Sequence, residues 1–182
     1  FLVIAEKPSV AQSYAKNLSA YKREDGYLEG ESCIVSWCLG HLAEYAQPEE
    51  YDPKYEKWQF DDLPILPEAW KLKVSKDKKK QFEVIKTLMN RSDVEYLVNG
   101  CDAGREGELI FQRVYDLAGC RKPVKRLWIS SMEDAAIQKG FQTMKSEEEY
   151  KNLCMAAVCR AQADWLIGMN GTRAYTTRYF KR

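Results

Sequence analysis

The stretch that decides the fold class is Tyr96-Leu97-Val98-Asn99-Gly100-Cys101-Asp102-Ala103-Gly104-Arg105-Glu106-Gly107-Glu108. It starts with a short apolar run that predicts a buried strand, and its glycines loosen a turn. Acidic residues then stand where a helix begins, and the apolar spacing from Leu109 to Leu117 predicts that helix. A strand followed at once by a helix is typical of a parallel α/β sheet.

The same alternation recurs along the chain. Residues 1–5 (FLVIA) predict a buried parallel strand, and 124–129 (VKRLWI) predict a further strand. The sequence therefore indicates an α/β fold with a mostly parallel central sheet flanked by helices. The other expected elements are a helix from Pro8 to Leu18, two short strands around Gly30 within 27–38, a helical face from Phe82 to Met89, a helix capped at Ser131 that runs to Met144, and one long helix from Glu147 to Met169. Trp128 and Trp165 are expected in the core.

Composition excludes several classes of protein. The 182 residues are 45% hydrophobic and carry 28 basic against 27 acidic side chains, which argues against a disordered chain or a bulk polycation. No run approaches the roughly 20 apolar residues of a membrane helix, and no signal-peptide pattern is present. The six cysteines form no CxxC pair and there is one histidine, so we expect free thiols in a reducing cytoplasm rather than a zinc site.

Two adjacent segments have opposite charge. Residues 44–70 hold eight acidic residues, two lysines and four prolines, which predicts a long irregular excursion of functional or inserted character. Residues 71–91 hold eight basic residues against Asp77 and Glu83. The lysine cluster at 76–80 is interpreted as a solvated helix start.

Acidic residues follow two of the predicted strands. Glu6-Lys7 closes the first, and Asp102 and Glu106 lie four residues apart after the second. Ligands of open α/β sheets bind at the carboxyl ends of strands, and Mg²⁺ is held by one or two carboxylates with water and phosphate. A solvated helix start at 102–106 and a surface pair at Glu6-Lys7 remain open alternatives. No phosphate-binding GxxxxGK[ST] loop occurs.

Five blocks occur together in one order: 4–9 (IAEKPS), 40–42 (GHL), 101–110 (CDAGREGELI), 126–131 (RLWISS) and 164–174 (DWLIGMNGTRA). In this combination the chain resembles the N-terminal part of type IA DNA topoisomerases, most of all their bacterial topoisomerase III branch. The resemblance implies a Toprim domain over 1–145, which includes the excursion at 44–70. It also implies that 146–182 is the helical start of the next domain.

The resemblance also implies roles for individual residues. Glu6 and Lys7 would serve strand cleavage and rejoining, with Lys7 meeting the phosphate, and Arg105 would orient the carboxylates or DNA. Asp102 and Glu106 match the first and last acids of the family's DxDxE motif, which binds Mg²⁺. Gly104 replaces the middle acid, so weaker or single-ion binding is expected. Glu108 is expected to be structural.

Single-stranded or negatively supercoiled DNA is the implied partner, together with the remaining domains of a longer chain. The expected DNA-contacting residues are His41, Asn170, Thr172, Arg173 and Arg178. Lys181 and Arg182 with Tyr175 and Tyr179 add the mixture of cations and rings that suits single strands. The family cleaves with a tyrosine of a later domain, which forms a 5′-phosphotyrosyl bond. This chain alone should therefore not cleave DNA, and Tyr175 and Tyr179 receive no catalytic role.

Further implications are a cytoplasmic, nucleoid-associated location in a bacterium and no membrane partner. Two other functions remain open. A Toprim nuclease or primase would share the acidic sheet edge but should lack the blocks at 126–131 and 164–173. A non-catalytic DNA-binding module would carry Gly104 as the mark of a decayed metal site.

Overall fold

A seven-stranded sheet organises the fold, and the computed structural model describes residues 1–180. The strands in chain order are β1 (Leu2–Ala5), β2 (Lys22–Glu24), β3 (Tyr27–Glu29), β4 (Ile34–Trp37), β5 (Ala43–Tyr45), β6 (Leu72–Val74), β7 (Leu97–Gly100), β8 (Val124–Arg126) and β9 (Lys145–Ser146). The α-helices are α1 (Pro8–Asn17), α2 (Pro48–Tyr51), α3 (Lys79–Met89), α4 (Arg105–Ala118), α5 (Asp134–Gln142) and α6 (Lys151–Tyr179). Short 3₁₀ turns cover Pro53–Glu56, Phe60–Asp62, Lys76–Lys78 and Glu147–Tyr150.

The strand order is β2-β3-β4-β1-β7-β8-β9. β1 is buried along its whole length and pairs in parallel with β4 and β7, and β7 pairs in parallel with β8. The outer strands β2, β3 and β9 run antiparallel to their neighbours. Because parallel strands covered on both faces carry continuous apolar runs, the central strands could be recognised from the sequence.

Helices cover both faces of the sheet, and β1 divides its side chains between them. Leu2 and Ile4 pack on the face covered by α3 and α4, while Val3 and Ala5 pack on the face covered by α1 and α5. The predicted fold class, a mostly parallel sheet flanked by helices, is confirmed.

The excursion at 44–70 is more ordered than its prolines and charge indicate. β5 and β6 form a second, two-stranded antiparallel sheet, and α2 and two 3₁₀ turns lie between them. Tyr45 and Ile65 form a third small core with Trp165 of α6. The excursion is therefore anchored to α6, a contact between residues about a hundred positions apart that local sequence patterns do not contain.

Three expectations need correction. Helix α6 continues ten residues past Met169, to Tyr179, and it begins only at Lys151, after a 3₁₀ turn. Helix α5 starts at Asp134 with Glu133 as its cap, so Ser131 does not cap it and instead accepts a hydrogen bond from the Glu133 amide. Trp165 is in the core, but Trp128 is 42% exposed and stacks on Tyr150. None of the helices within residues 1–180 is both long and apolar enough to span a membrane.

Candidate functional site

Glu6 stands at the carboxyl edge of the sheet, where three loops meet. It follows β1 directly and is only 9% exposed. Its Oε2 accepts a hydrogen bond from the Asp102 amide at 3.4 Å, and its backbone carbonyl accepts one from Gly40 at 3.3 Å. The loops after β1, β4 and β7 are thus joined at Glu6. Lys7 Nζ lies 3.8 Å from Glu6 Oε1 and is largely exposed, as a residue that meets phosphate would need to be.

The turn from β7 into α4 brings Asp102 to this edge. Gly107, in the first turn of α4, lies so close to the turn that a Cβ there would be 2.1 Å from the Asp102 carbonyl oxygen. Only glycine allows this approach, which folds α4 back onto Asp102. Gly104 is different, because its backbone is extended and a Cβ would meet nothing within 4 Å. The fold therefore has room for an acidic side chain at 104, and the sequence simply does not supply one.

Glu106 faces His41 across the edge of the sheet. The two side chains form a hydrogen bond between His41 Nε2 and Glu106 Oε1. Since an ionised carboxylate can only accept, the imidazole donates from Nε2. His41 Nδ1 is buried without a partner. The sequence places His41 and Glu106 in separate motifs 65 residues apart, and the structure makes them neighbours.

Arg126 supports the acidic turn from beneath. It is fully buried, and its guanidinium donates to the carbonyl oxygens of Asn99, Cys101 and Asp102 at 2.7–3.0 Å. Its Nε donates to Glu108 at 2.5 Å, and Glu108 is fully buried as well. Glu108 is therefore a structural ion-pair partner, and Arg126 fixes the backbone on which Asp102 stands.

A second carboxylate shares this buried network. Glu147, in the 3₁₀ turn before α6, receives a long hydrogen bond from Asn99 at 3.5 Å, and its Oε2 is buried without a partner. Burial, followed by the negative charge of Glu108, raises the pKa of Glu147 to about 7. The entry to α6 is thus coupled electrostatically to the core beneath the acidic turn.

The acidic residues suit a sparsely held metal rather than a protein cage. Within residues 1–180, no three His, Cys, Asp or Glu side chains are grouped so that they could hold a metal ion. Mg²⁺ needs fewer protein ligands, because one or two carboxylates suffice when water and substrate phosphate complete the octahedron. Asp102 and Glu106 are both exposed and lie four residues apart in the chain, Asp102 in the turn before α4 and Glu106 in the first turn of that helix, which fits such a site.

Two of the expected DNA-contacting residues are occupied by protein contacts. Asn170 exchanges hydrogen bonds with the backbone of Ile65, at 2.6 Å as acceptor and 3.0 Å as donor. Arg173 is 5% exposed, donates to the Tyr55 carbonyl at 2.6 Å, and lies over the Trp58 ring. Both residues hold the excursion against α6 in this conformation.

The other expected contact residues face solvent. Arg105, Thr172 and Arg178 are exposed, and His41 is partly exposed beside Glu106. Tyr175 and Tyr179 pack against each other on the last turns of α6, with ring centroids 5.0 Å apart and ring planes inclined at 47°. Lys181 and Arg182 lie outside the described residues.

The sequence carried one unused signal for this site. Arg126 lies inside the predicted strand 124–129 and directly precedes the apolar run Leu127-Trp128-Ile129. A charged residue within a strand is buried only when it is paired, so the pattern indicates a carboxylate partner. Glu147 gave no such signal, because its contact with the Asn99 side chain joins residues 48 positions apart.

Comparison with known proteins identifies the protein family to which this chain belongs. The model of the Toprim domain family matches residues 1–132, and the chain belongs to that family. Among relatives, DNA topoisomerase 3 of Bacillus subtilis (strain 168) is 50% identical over 178 residues, which is 98% of this chain and 24% of that protein. DNA topoisomerase 3 of Bacillus anthracis is 52% identical over 178 residues, again 98% of this chain and 24% of that protein.

The chain therefore spans about a quarter of the length of the curated relatives it matches. Among solved structures, the full-length topoisomerase I of Thermotoga maritima superposes with a TM-score of 0.53 at 20% identity. The match covers 83% of this chain and 22% of that one, and at this identity it shows the fold alone. The resemblance to bacterial topoisomerase III noted from the motifs is confirmed by the identities.

Proposed function

We propose that this chain is the Toprim part of a type IA DNA topoisomerase. In the longer enzyme it would help to pass DNA through a Mg²⁺-dependent transient single-strand break with a 5′-phosphotyrosyl intermediate. The observation that carries the proposal is the meeting of Glu6 with the Asp102 turn at the carboxyl edge of the sheet. Similarity to DNA topoisomerase 3 over 98% of the chain supports it.

In this proposal each residue named at the carboxyl edge of the sheet has a task. Asp102 and Glu106 would hold Mg²⁺, which neutralises charge on a phosphodiester. Glu6, shielded from water, would give a proton to the leaving oxygen. Lys7 would bind the phosphate, and Arg105 would orient the carboxylates or the DNA.

The proposed DNA-binding residues are His41, Thr172 and Arg178, together with Asn170 and Arg173, which also hold the excursion against α6. Residues 1–145 would form the Toprim domain and 146–182 the start of the next one. The substrate would be single-stranded or negatively supercoiled DNA in the bacterial cytoplasm, at the nucleoid. Without the tyrosine of a later domain, the chain alone would not cleave.

A chimera tests the proposal. The chain replaces the matching 178 residues of Bacillus subtilis DNA topoisomerase 3, and relaxation of a negatively supercoiled plasmid is followed with Mg²⁺ and with EDTA. We expect Mg²⁺-dependent relaxation, and we expect Glu6→Gln to slow it by at least about 100-fold, the usual contribution of a general acid. The matched control is Glu31→Gln, an exposed glutamate before β4 and so at the opposite edge of the sheet.

Other outcomes separate the alternatives. Equal rates for the two variants would remove Glu6 from the chemistry. Accumulation of nicked circles, with no relaxed closed product, would point to a nuclease. A folded chimera that binds DNA but leaves its topology unchanged would mark a non-catalytic module with a decayed site.

A further inference from the structure

His41 depends on its backbone for its orientation. It lies in the connection between β4 and β5, outside regular structure, and its ring makes its hydrogen bond to Glu106 through Nε2 while Nδ1 is buried without a partner. A single hydrogen bond restrains the imidazole only if the backbone that carries the ring is itself held in place. Contacts to the segment that carries the ring must therefore fix it.

Lys78 makes the first of these contacts. Its Nζ donates to the carbonyl oxygen of His41 at 2.8 Å, and the residue is half-buried. A lysine at the start of a helix is unfavourable for the helix dipole, so this position is not explained by helix stability. The lysine cluster at 76–80 is thus not uniformly a solvated helix start. Lys79, next in the chain, is exposed.

Arg113 makes the second contact. It lies two turns after Glu106 on α4, is 9% exposed, and donates to the Ala43 carbonyl at 3.3 Å. Its guanidinium also lies over the Tyr45 ring, 4.6 Å from the centroid. Ala43 begins β5 two residues after His41, so α4 carries both Glu106 and the cation that holds the segment opposite it.

We infer that Lys78 and Arg113 are positioning residues that hold His41 against Glu106, Lys78 through the His41 carbonyl and Arg113 through the Ala43 carbonyl. The inference rests on the proposed function in one respect, since Glu106 is there a metal ligand that must be presented in a fixed orientation. Groups around a ligand commonly change metal affinity when they are removed, although they touch no metal.

The single histidine of the chain makes a direct test possible. Nitrogen-15 NMR of the metal-free, DNA-free chain at one fixed pH records the His41 Nε2 and Nδ1 shifts. Glu106→Gln defines the shift of the ring without its carboxylate partner. We expect Lys78→Met to move the Nε2 shift at least halfway to that reference, while amide signals away from residues 38–46 keep their positions. Lys79→Met, which removes the same charge one residue away, should leave the His41 shifts unchanged.

Arg113 is tested by replacement and rescue. Arg113→Gln should move the Nε2 shift in the same direction as Lys78→Met, and Arg113→Lys should restore part of it. If Arg113→Gln does not fold, the pair of lysine variants decides alone. The inference is overturned if folded Lys78→Met retains the wild-type shift, or if Glu106→Gln itself moves nothing. A chimera that is inactive in plasmid relaxation, while the variants show the expected His41 nitrogen shifts, would contradict the proposed activity but not the positioning role of Lys78 and Arg113.

Discussion

At the scale of single residues, Arg126 shows how a buried charge can organise a functional edge. Its buried guanidinium donates hydrogen bonds to the carboxylate of Glu108 and to four carbonyl oxygens, those of Asn99, Cys101, Asp102 and Leu127. Without Arg126 the Glu108 carboxylate would be a buried charge with no cationic partner beneath the sheet edge. The pair contributes little net stability against an apolar substitute, but it dictates where the Asp102 backbone lies.

Replacing Arg126 alone should therefore destabilise the fold far more than replacing both Arg126 and Glu108 by apolar residues. We expect Arg126→Met to lower the free energy of unfolding by about 3–5 kcal/mol, because Glu108 is left buried and unpaired. The double variant Arg126→Met/Glu108→Leu should recover a large part of that loss. Urea denaturation measures both, with the exposed Arg121→Met as control, expected within about 0.5 kcal/mol of wild type. A double variant no more stable than Arg126→Met would contradict this account of the pair.

At the scale of elements, the sequence alone predicts a strand that is buried on both faces, or a helix that has a pronounced apolar stripe. β1, β7 and α1 follow from their own residues. β2, β5, β6 and β9 were missed, because they are two or three residues long and partly solvated, and backbone pairing defines them. The site divides in the same way: the acids at strand ends could be predicted, whereas the roles of Asn170 and Arg173 depend on carbonyls more than a hundred residues away.

The 3₁₀ turn that leads into α6 should give the fold a pH dependence. Burial and Glu108 raise the pKa of Glu147 to about 7, against 4.5 for an ordinary glutamate. Between those values the native state binds more protons than the unfolded state, so this group lowers stability as pH rises. We expect Glu147→Gln to match wild type near pH 4.5 and to exceed it by about 2 kcal/mol at pH 8. The full shift would give roughly 3 kcal/mol, reduced because the group is partly solvated.

Urea unfolding at the two pH values measures this difference. Glu148→Gln is the matched control, since Glu148 is adjacent and exposed, and its difference from wild type should not change with pH. A Glu147→Gln difference that is the same at both pH values would contradict the raised pKa.

At the scale of the whole molecule, the net charge of +1 is the sum of an acidic region and of basic residues elsewhere. The acidic excursion packs against α6, while Lys7, Arg105 and Arg178 are exposed cations of the proposed DNA surface. A polyanion responds to such local groups, because each neutralised phosphate releases counterions whatever the total charge of the protein. Overall neutrality therefore limits affinity without abolishing its dependence on salt.

Binding of a fluorescent single-stranded oligonucleotide should follow from these three cations. Anisotropy titrations between about 50 and about 200 mM salt should give a slope of log affinity against log salt of about −2, as expected for three phosphate contacts. Arg178→Gln should reduce the magnitude of that slope by about 0.7, because one contact is lost. Lys139→Gln, an exposed lysine on α5, should leave the slope unchanged. If affinity does not vary with salt, or if both variants lower the slope equally, binding is not localised at this surface and depends on general charge.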